Sequence, residues 1–209
     1  MICISIPEKH RGKAISIANI SEMAEIRIDM AGFSAKDVAF VFSKSESNLI
    51  ATCRPEFVSD KERIILLQTA IENGAAYVDI EIDATDEVKQ ALIPFAQSHT
   101  CQVIISYHNY ESTPSVEELE VLIKQGFDEK ADIVKIATTA QTVQDSARLL
   151  SLYQTERPLV ALAMGEEGKI TRVANIALGS PFTFASLSSE TITAPGQLTV
   201  DEMKPFLKI

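Results

Sequence analysis

Short aliphatic runs alternate along the chain with longer segments whose apolar positions recur at helical spacing. The runs predict strands over 2–6, 25–29, 49–54, 76–82, 102–107, 132–137, 159–164 and 182–185. Between them the pattern predicts helices, among them 60–73, 86–98, 115–127 and 142–154. Ser115 with Glu117 and Glu118 supplies a cap and an acidic first turn, and Asn73-Gly74 supplies a left-handed stop. Eight strands alternating with helices in 209 residues predict an α/β protein, a (β/α)8 TIM barrel in a single domain over 1–209. A doubly wound open sheet is the alternative, and it calls for a glycine-rich turn after the first strand. Here Ile6 is followed by Pro7-Glu8-Lys9, with no glycine before Gly12, which favours the barrel.

Alternation within each run sorts residues by face, because side chains two apart along a strand point the same way. The aliphatic face of a barrel strand must pack on helices, so the opposite face points inward. On that reading Ser5, Glu25, Arg27, Arg54, Asp79, Glu81, His108 and Lys135 are aimed at one interior. Unpaired, that many buried charges would cost several kcal/mol each, so the pattern makes sense as a mutually paired, partly wet site. Arg27, Arg54, Glu81 and His108 also fall near strand ends, where the loops of a barrel build catalytic sites.

Composition narrows the classes. The chain is 46% hydrophobic and 23% charged, ordinary for a folded protein. A formal charge of −10 argues against a nucleic-acid partner, whose phosphates require a basic footprint. It also makes any cationic pocket informative. No apolar run approaches a membrane span and no basic leader precedes the first strand, so a soluble cytoplasmic protein is expected, with no membrane partner. Cys3, Cys53 and Cys101 are odd in number and widely spaced, which predicts free thiols and, with no histidine pairing, no metal.

Lys135 stands in the middle of Asp132-Ile133-Val134-Lys135-Ile136-Ala137. Lysine is rare in such a strand because burial penalises an ammonium, and the same burial suits an amine that attacks a carbonyl to form a Schiff base. A structural ion pair with Asp79 or Glu81 is the plainer reading, and both can hold. His108 is suited to moving a proton, whereas a lone histidine is as often a polar contact. His10 and His99 fall in polar helix-like stretches and read as surface residues. Arg27, Arg54 and Arg172 sit at or beyond strand ends, where an arginine fork can bind a carboxylate or clustered hydroxyls, or simply make a salt bridge. Gly165-Glu166-Glu167-Gly168-Lys169 lacks the spacing of a phosphate loop and is acidic, so it is set aside. Ala194-Pro195-Gly196-Gln197 is a turn by composition.

Together these residues resemble the type I 3-dehydroquinate dehydratases. The resemblance rests on Asp79-Ile80-Glu81-Ile82, a twenty-residue gap, then Val103-Ile104-Ile105-Ser106-Tyr107-His108-Asn109. It continues through Ser5, Glu25-Ile26-Arg27, Arg54, the strand around Lys135, and Met164, Arg172, Gly179-Ser180, Phe184 and Ala194–Gln197. The resemblance implies an eight-stranded α/β barrel acting on 3-dehydroquinate, without metal or organic cofactor, as a homodimer. It implies that Lys135 forms the imine, that His108 moves the protons, and that Arg172 clamps the carboxylate. Ser5, Glu25, Arg27 and Arg54 would hold ring hydroxyls, with Thr193 and Gln197 closing over the ligand. Glu81, with Asp79, Met164 and Phe184, would support the site. Two departures stand out. Thr193 replaces a serine of many relatives, and Pro55-Glu56-Phe57-Val58-Ser59 replaces a glutamate followed by glycines. The carboxylate partner of His108 is therefore open between Glu81, Glu56 and neither. Two other functions compete: a class I aldolase sharing the strand lysine, and a non-catalytic barrel that binds a cyclic hydroxy acid.

Overall fold

The structure, a computed structural model, describes residues 1–56, 58–154 and 156–207. Phe57, in the loop after Arg54, lies outside the described residues, as do the last two residues of the expected 1–209 domain. In chain order the elements are β1 (Ile2–Ile6), α1 (Arg11–Ala18), β2 (Met23–Arg27), the single turn α2 (Ile28–Ala31), α3 (Ala35–Lys44), β3 (Asn48–Thr52), α4 (Asp60–Glu72) and β4 (Tyr77–Glu81). There follow α5 (Asp86–Ser98), β5 (Gln102–Asn109), α6 (Val116–Asp128), β6 (Ile133–Thr139), α7 (Val143–Ser151), β7 (Leu159–Met164), α8 (Lys169–Ala177), β8 (Thr183–Ala185) and α9 (Val200–Leu207). The strands form one sheet in the order β7-β6-β5-β4-β3-β2-β1-β8. Each strand neighbours the next in sequence and β8 returns beside β1, the order of a (β/α)8 fold.

The expected elements are present, with shifted ends. The second strand stops at Arg27, and Ile28 and Asp29 enter the turn α2, which Gly32 closes in the left-handed region at φ 64°. The third strand stops at Thr52, so Arg54 projects from the loop beyond it. The fifth runs on to Asn109 and carries His108 within the strand. The predicted 142–154 helix is α7 followed by a separate 3-10 turn, Leu152–Gln154. Ser115 caps α6 with a full capping box, as its sequence implies.

Two compact units divide the chain: Cys3–Ile104, and Ile105–Ile209 with Met1–Ile2. In the first, the parallel registers Ser5↔Glu25, Arg27↔Thr52 and Thr52↔Asp79 bring polar strand residues into adjacent rows. In the second, β6 and β7 pair over six residues, with Lys135 beside Val160. Its core is aliphatic, built from Leu119, Val134, Ile136, Leu149, Leu159 and Ala161 with smaller residues. Gly126 of α6 packs on that core where a Cβ would stand 2.7 Å from a Val134 methyl. The β7 amides of Ala161 and Ala163 are met by hydroxyls, Tyr153 Oη at 2.6 Å and Thr171 Oγ1 at 2.8 Å. Those bonds tie α8 and the 3-10 turn to β7.

Cys3, Cys53 and Cys101 are buried free thiols, and burial pushes the Cys53 thiol up to about 12. Among the described residues no helix is long and apolar enough to cross a membrane. Also among them, no group of three or more His, Cys, Asp or Glu could hold a metal ion.

Candidate active site

In the Cys3–Ile104 unit the polar strand residues are bound to one another. Glu25 is buried in β2 and accepts Ser5 Oγ at 2.8 Å on one oxygen and Thr52 Oγ1 at 2.8 Å on the other. Two hydroxyls from flanking strands therefore fix its plane. Arg27, at the end of β2, folds onto Asp29 through Nε (3.1 Å) and Nη2 (2.6 Å), a two-pronged pair. Burial works against its charge, yet Asp29 and Glu25 outweigh that and hold the guanidinium above its ordinary value. Although the sequence predicts a strand over 25–29, Asp29 lies beyond β2 and reaches Arg27 from the turn α2.

Arg54 is buried and grips Asp79 through Nη1 (3.1 Å) and Nη2 (3.2 Å), while its Nη1 also lies 3.3 Å from Glu81 Oε1. The second oxygen of Glu81 faces Arg63 Nη1 of α4 at 3.5 Å. Burial raises the Glu81 carboxyl; Arg54 opposes the shift, and Asp79, Asp83 and Glu56 add to it. Glu56 itself is exposed. Buried Arg54, Arg63 and Asp79 and half-buried Glu81 make two charges of each sign, so the cluster neutralises itself.

The Ile105–Ile209 unit is arranged differently. Lys135 is 6% exposed, in the middle of β6, with Nζ 4.4 Å from the ring centre of Phe184 on β8. The aromatic face is a favourable seat for an ammonium. Phe184 is in turn set edge-on against Phe182 at 5.5 Å. Half-buried His108 lies in β5 with its ring nearly parallel to that of exposed Tyr110, centroids 6.2 Å apart. The ends of β5 and β6 are laced together. Thr113 Oγ1 and Thr138 Oγ1 are 2.8 Å apart, Thr139 Oγ1 donates to Asn109 O at 3.2 Å, and Asn109 Oδ1 accepts two turn amides.

Arg172 lies beyond the end of β7, in α8, and is 1% exposed. Its Nε and Nη2 are buried with no hydrogen-bond partner among the described residues, and burial pushes the guanidinium down to about 10. Such a fork is an incomplete anion site. Met164 closes β7 and is buried. Gln197 is buried in the loop before α9 and accepts Thr193 N at 2.8 Å and Thr193 Oγ1 at 3.1 Å. That loop sits on the turn after β7. Pro195 O accepts Gly165 N, and a Cβ on Gly196 (φ 69°) would lie 2.3 Å from Gly165 O. Only glycine allows that approach.

Sequence reasoning did not single out Arg63, Thr52 or the Thr113–Thr138 pair. A signal for Arg63 existed: it shares a helix stripe with Leu66, Leu67 and Ala70, all buried.

The strand order, the buried strand lysine and the arginine–carboxylate clusters at strand ends define a (β/α)8 protein of the enzyme type. The family model for Type I 3-dehydroquinase matches residues 2–209, and the chain belongs to that family. It is 35% identical over 224 residues to a 3-dehydroquinate dehydratase of Methanococcus maripaludis, covering 100% of this chain and 99% of the relative. It is 32% identical over 216 residues to that of Desulfotalea psychrophila, covering 97% and 95%. Among solved structures, type I 3-dehydroquinate dehydratase from Clostridium difficile superposes with a TM-score of 0.88 at 26% identity, over 99% of this chain and 91% of that one. A 3-hexulose-6-phosphate synthase matches at TM-score 0.62 and 12% identity, which shows the shared fold alone.

Proposed function

We infer that the chain is a 3-dehydroquinate dehydratase, a hydro-lyase of the shikimate pathway, and we propose that it works through a Schiff base on Lys135, with residues 1–209 forming one catalytic domain. The observation that carries the Schiff-base reading is a lysine buried in mid-strand whose Nζ rests on the Phe184 ring. Nζ adds to the C3 ketone of the substrate and water leaves, giving an iminium. That iminium is an electron sink for the neighbouring C–H bond. His108 takes the C2 proton, the electron pair passes into the iminium as an enamine, and the C1 hydroxyl departs as water on receiving a proton from His108. Hydrolysis of the imine releases 3-dehydroshikimate and restores Lys135.

Each remaining residue has a task in this scheme. Arg172 supplies the unspent fork for the substrate carboxylate. Ser5, Glu25, Arg27 and Arg54 hold ring hydroxyls, their own orientations set by the bonds described above. Glu81 and Asp79 support the proton-transfer groups, Met164 and Phe184 line the substrate with apolar surface, and Thr193 with Gln197 excludes water. A cytoplasmic homodimer is part of the proposal; the three free thiols support a reducing compartment.

Borohydride reduction during turnover of 3-dehydroquinate, followed by peptide mapping, tests the proposal. The expected result is one adduct, on Lys135, with no turnover and no adduct in Lys135→Ala. An unmodified Lys135 in an active enzyme would exclude the imine. Retro-aldol activity on sugar phosphates, with none on 3-dehydroquinate, would transfer the chain to the aldolase reading.

A further inference from the structure

Arg63 is placed against every local preference. It stands in the first turns of α4, four residues after the Ser59 N-cap, where the helix dipole disfavours a cation. Its side chain is only 4% exposed, so the charge is also desolvated, and its Nε is buried without a hydrogen-bond partner. A residue that breaks local rules and persists in a fold usually does so for a site. What it gains is two carboxylates: Asp60 Oδ1 at 3.2 Å on its own helix, and Glu81 Oε2 at 3.5 Å at the end of β4. The Asp60 contact is a half-exposed pair at helical spacing and could be made equally well from the surface. The Glu81 contact could not.

The second contact completes a pattern. Glu81 Oε1 faces Arg54 Nη1 at 3.3 Å, and Arg54 is already committed to Asp79 by two contacts. One guanidinium on one oxygen leaves a carboxylate free to turn about its last bond. A second on the other oxygen, arriving from a helix, fixes the plane. Arg63 also balances the cluster, since with Arg54 alone buried Asp79 and half-buried Glu81 would share one cation. The groups facing Glu81 in this unit are then Arg54, Asp79, Asp83, Glu56 and Arg63.

We propose that Arg63 is a positioning residue for the dehydration: by holding the second oxygen of Glu81 it fixes that carboxylate in the orientation that supports proton transfer. The proposal rests on the dehydratase reading and on the supporting role given there to Glu81. A double-mutant cycle on kcat and KM tests it, with Arg63→Gln, Glu81→Gln and the pair together. Arg63→Gln is expected to lower kcat about tenfold with KM within about twofold, and to cost almost nothing further in the Glu81→Gln background. Arg63→Lys, which keeps the charge without the fork, is expected to recover part of kcat and carries the test should the glutamine variant fold poorly. Asp60→Asn, which removes the other partner, is expected to keep the full kcat. Three results would each overturn the proposal: multiplicative effects on kcat in the double variant, wild-type turnover by Glu81→Gln, or an Asp60→Asn variant as slow as Arg63→Gln. Absence of dehydratase turnover in the unsubstituted protein would overturn the dehydratase reading along with it, whereas turnover with multiplicative effects removes the role of Arg63 alone.

Discussion

The two compact units treat buried charge in opposite ways. In Cys3–Ile104 four carboxylates are satisfied by the protein: Glu25 by two hydroxyls, Asp29 by Arg27, Asp79 and Glu81 by Arg54 and Arg63. In Ile105–Ile209 two buried cations are held differently. Lys135 rests on an aromatic face, and Arg172 carries two guanidinium nitrogens with no acceptor. A neutralised cluster is rigid and poor at binding an anion, because its charges are already spent. A fork with unmet donors keeps its capacity for an anion.

Removing the matching arginine from each unit should break that symmetry in opposite directions. Arg54→Ala strands Asp79 and Glu81 in the interior, and a buried pair broken from one side costs about 3–5 kcal/mol. Urea unfolding should show the midpoint falling accordingly; a loss below about 1 kcal/mol would mean that the acids are compensated without Arg54. Arg172→Leu should instead leave stability unchanged or raise it by up to about 2 kcal/mol, since it removes a desolvated charge with unfilled hydrogen bonds. The same variant should bind the anionic substrate about 10- to 100-fold more weakly, a difference of roughly 1.4–2.7 kcal/mol. A destabilised Arg172→Leu with unaltered KM would make Arg172 a structural residue and erase the contrast.

The smallest effect concerns pH. Burial raises the folded-state carboxyl of Glu81 above its ordinary value of 4.5, so between those two values the folded chain holds more proton than the unfolded chain. The Glu81 contribution to stability is then fully present below the ordinary value and is lost as pH rises through the raised one. Comparing unfolding midpoints of wild type and Glu81→Gln from pH 4 upward should show the wild type losing ground to the variant across that window. A parallel pair of curves would mean that Arg54 and Arg63 cancel the burial.

Much of this was readable from residue order because strand alternation has a period of two. Glu25, Arg54, Asp79, Glu81 and Lys135 stand out as polar positions set against an aliphatic phase, and the structure finds all of them buried or nearly so. Lys135 was legible for a second reason, that no surface strand buries a lysine between four aliphatic neighbours. Arg63 was not legible in the same way. It ends Asp60-Lys61-Glu62-Arg63, which reads as a solvated helix start, and only the docking of α4 turns one of those four inward. The end of the second strand was misplaced because a run of alternating residues looks the same whether the strand continues or turns. The turn depends on Gly32 and the Arg27–Asp29 pair, which take effect only when the chain is folded.

Periodicity, capping residues and the spacing from Asp79 to His108 thus suffice for the element order, the (β/α)8 class and the family, because each is a local or one-dimensional property of the chain. Which charges are satisfied and which are left open is not such a property. It depends on where α4 and α8 set Arg63 and Arg172 down. Desolvation and pairing are decided by neighbours far apart in sequence, so the division between a spent and an unspent cation exists only in the folded chain.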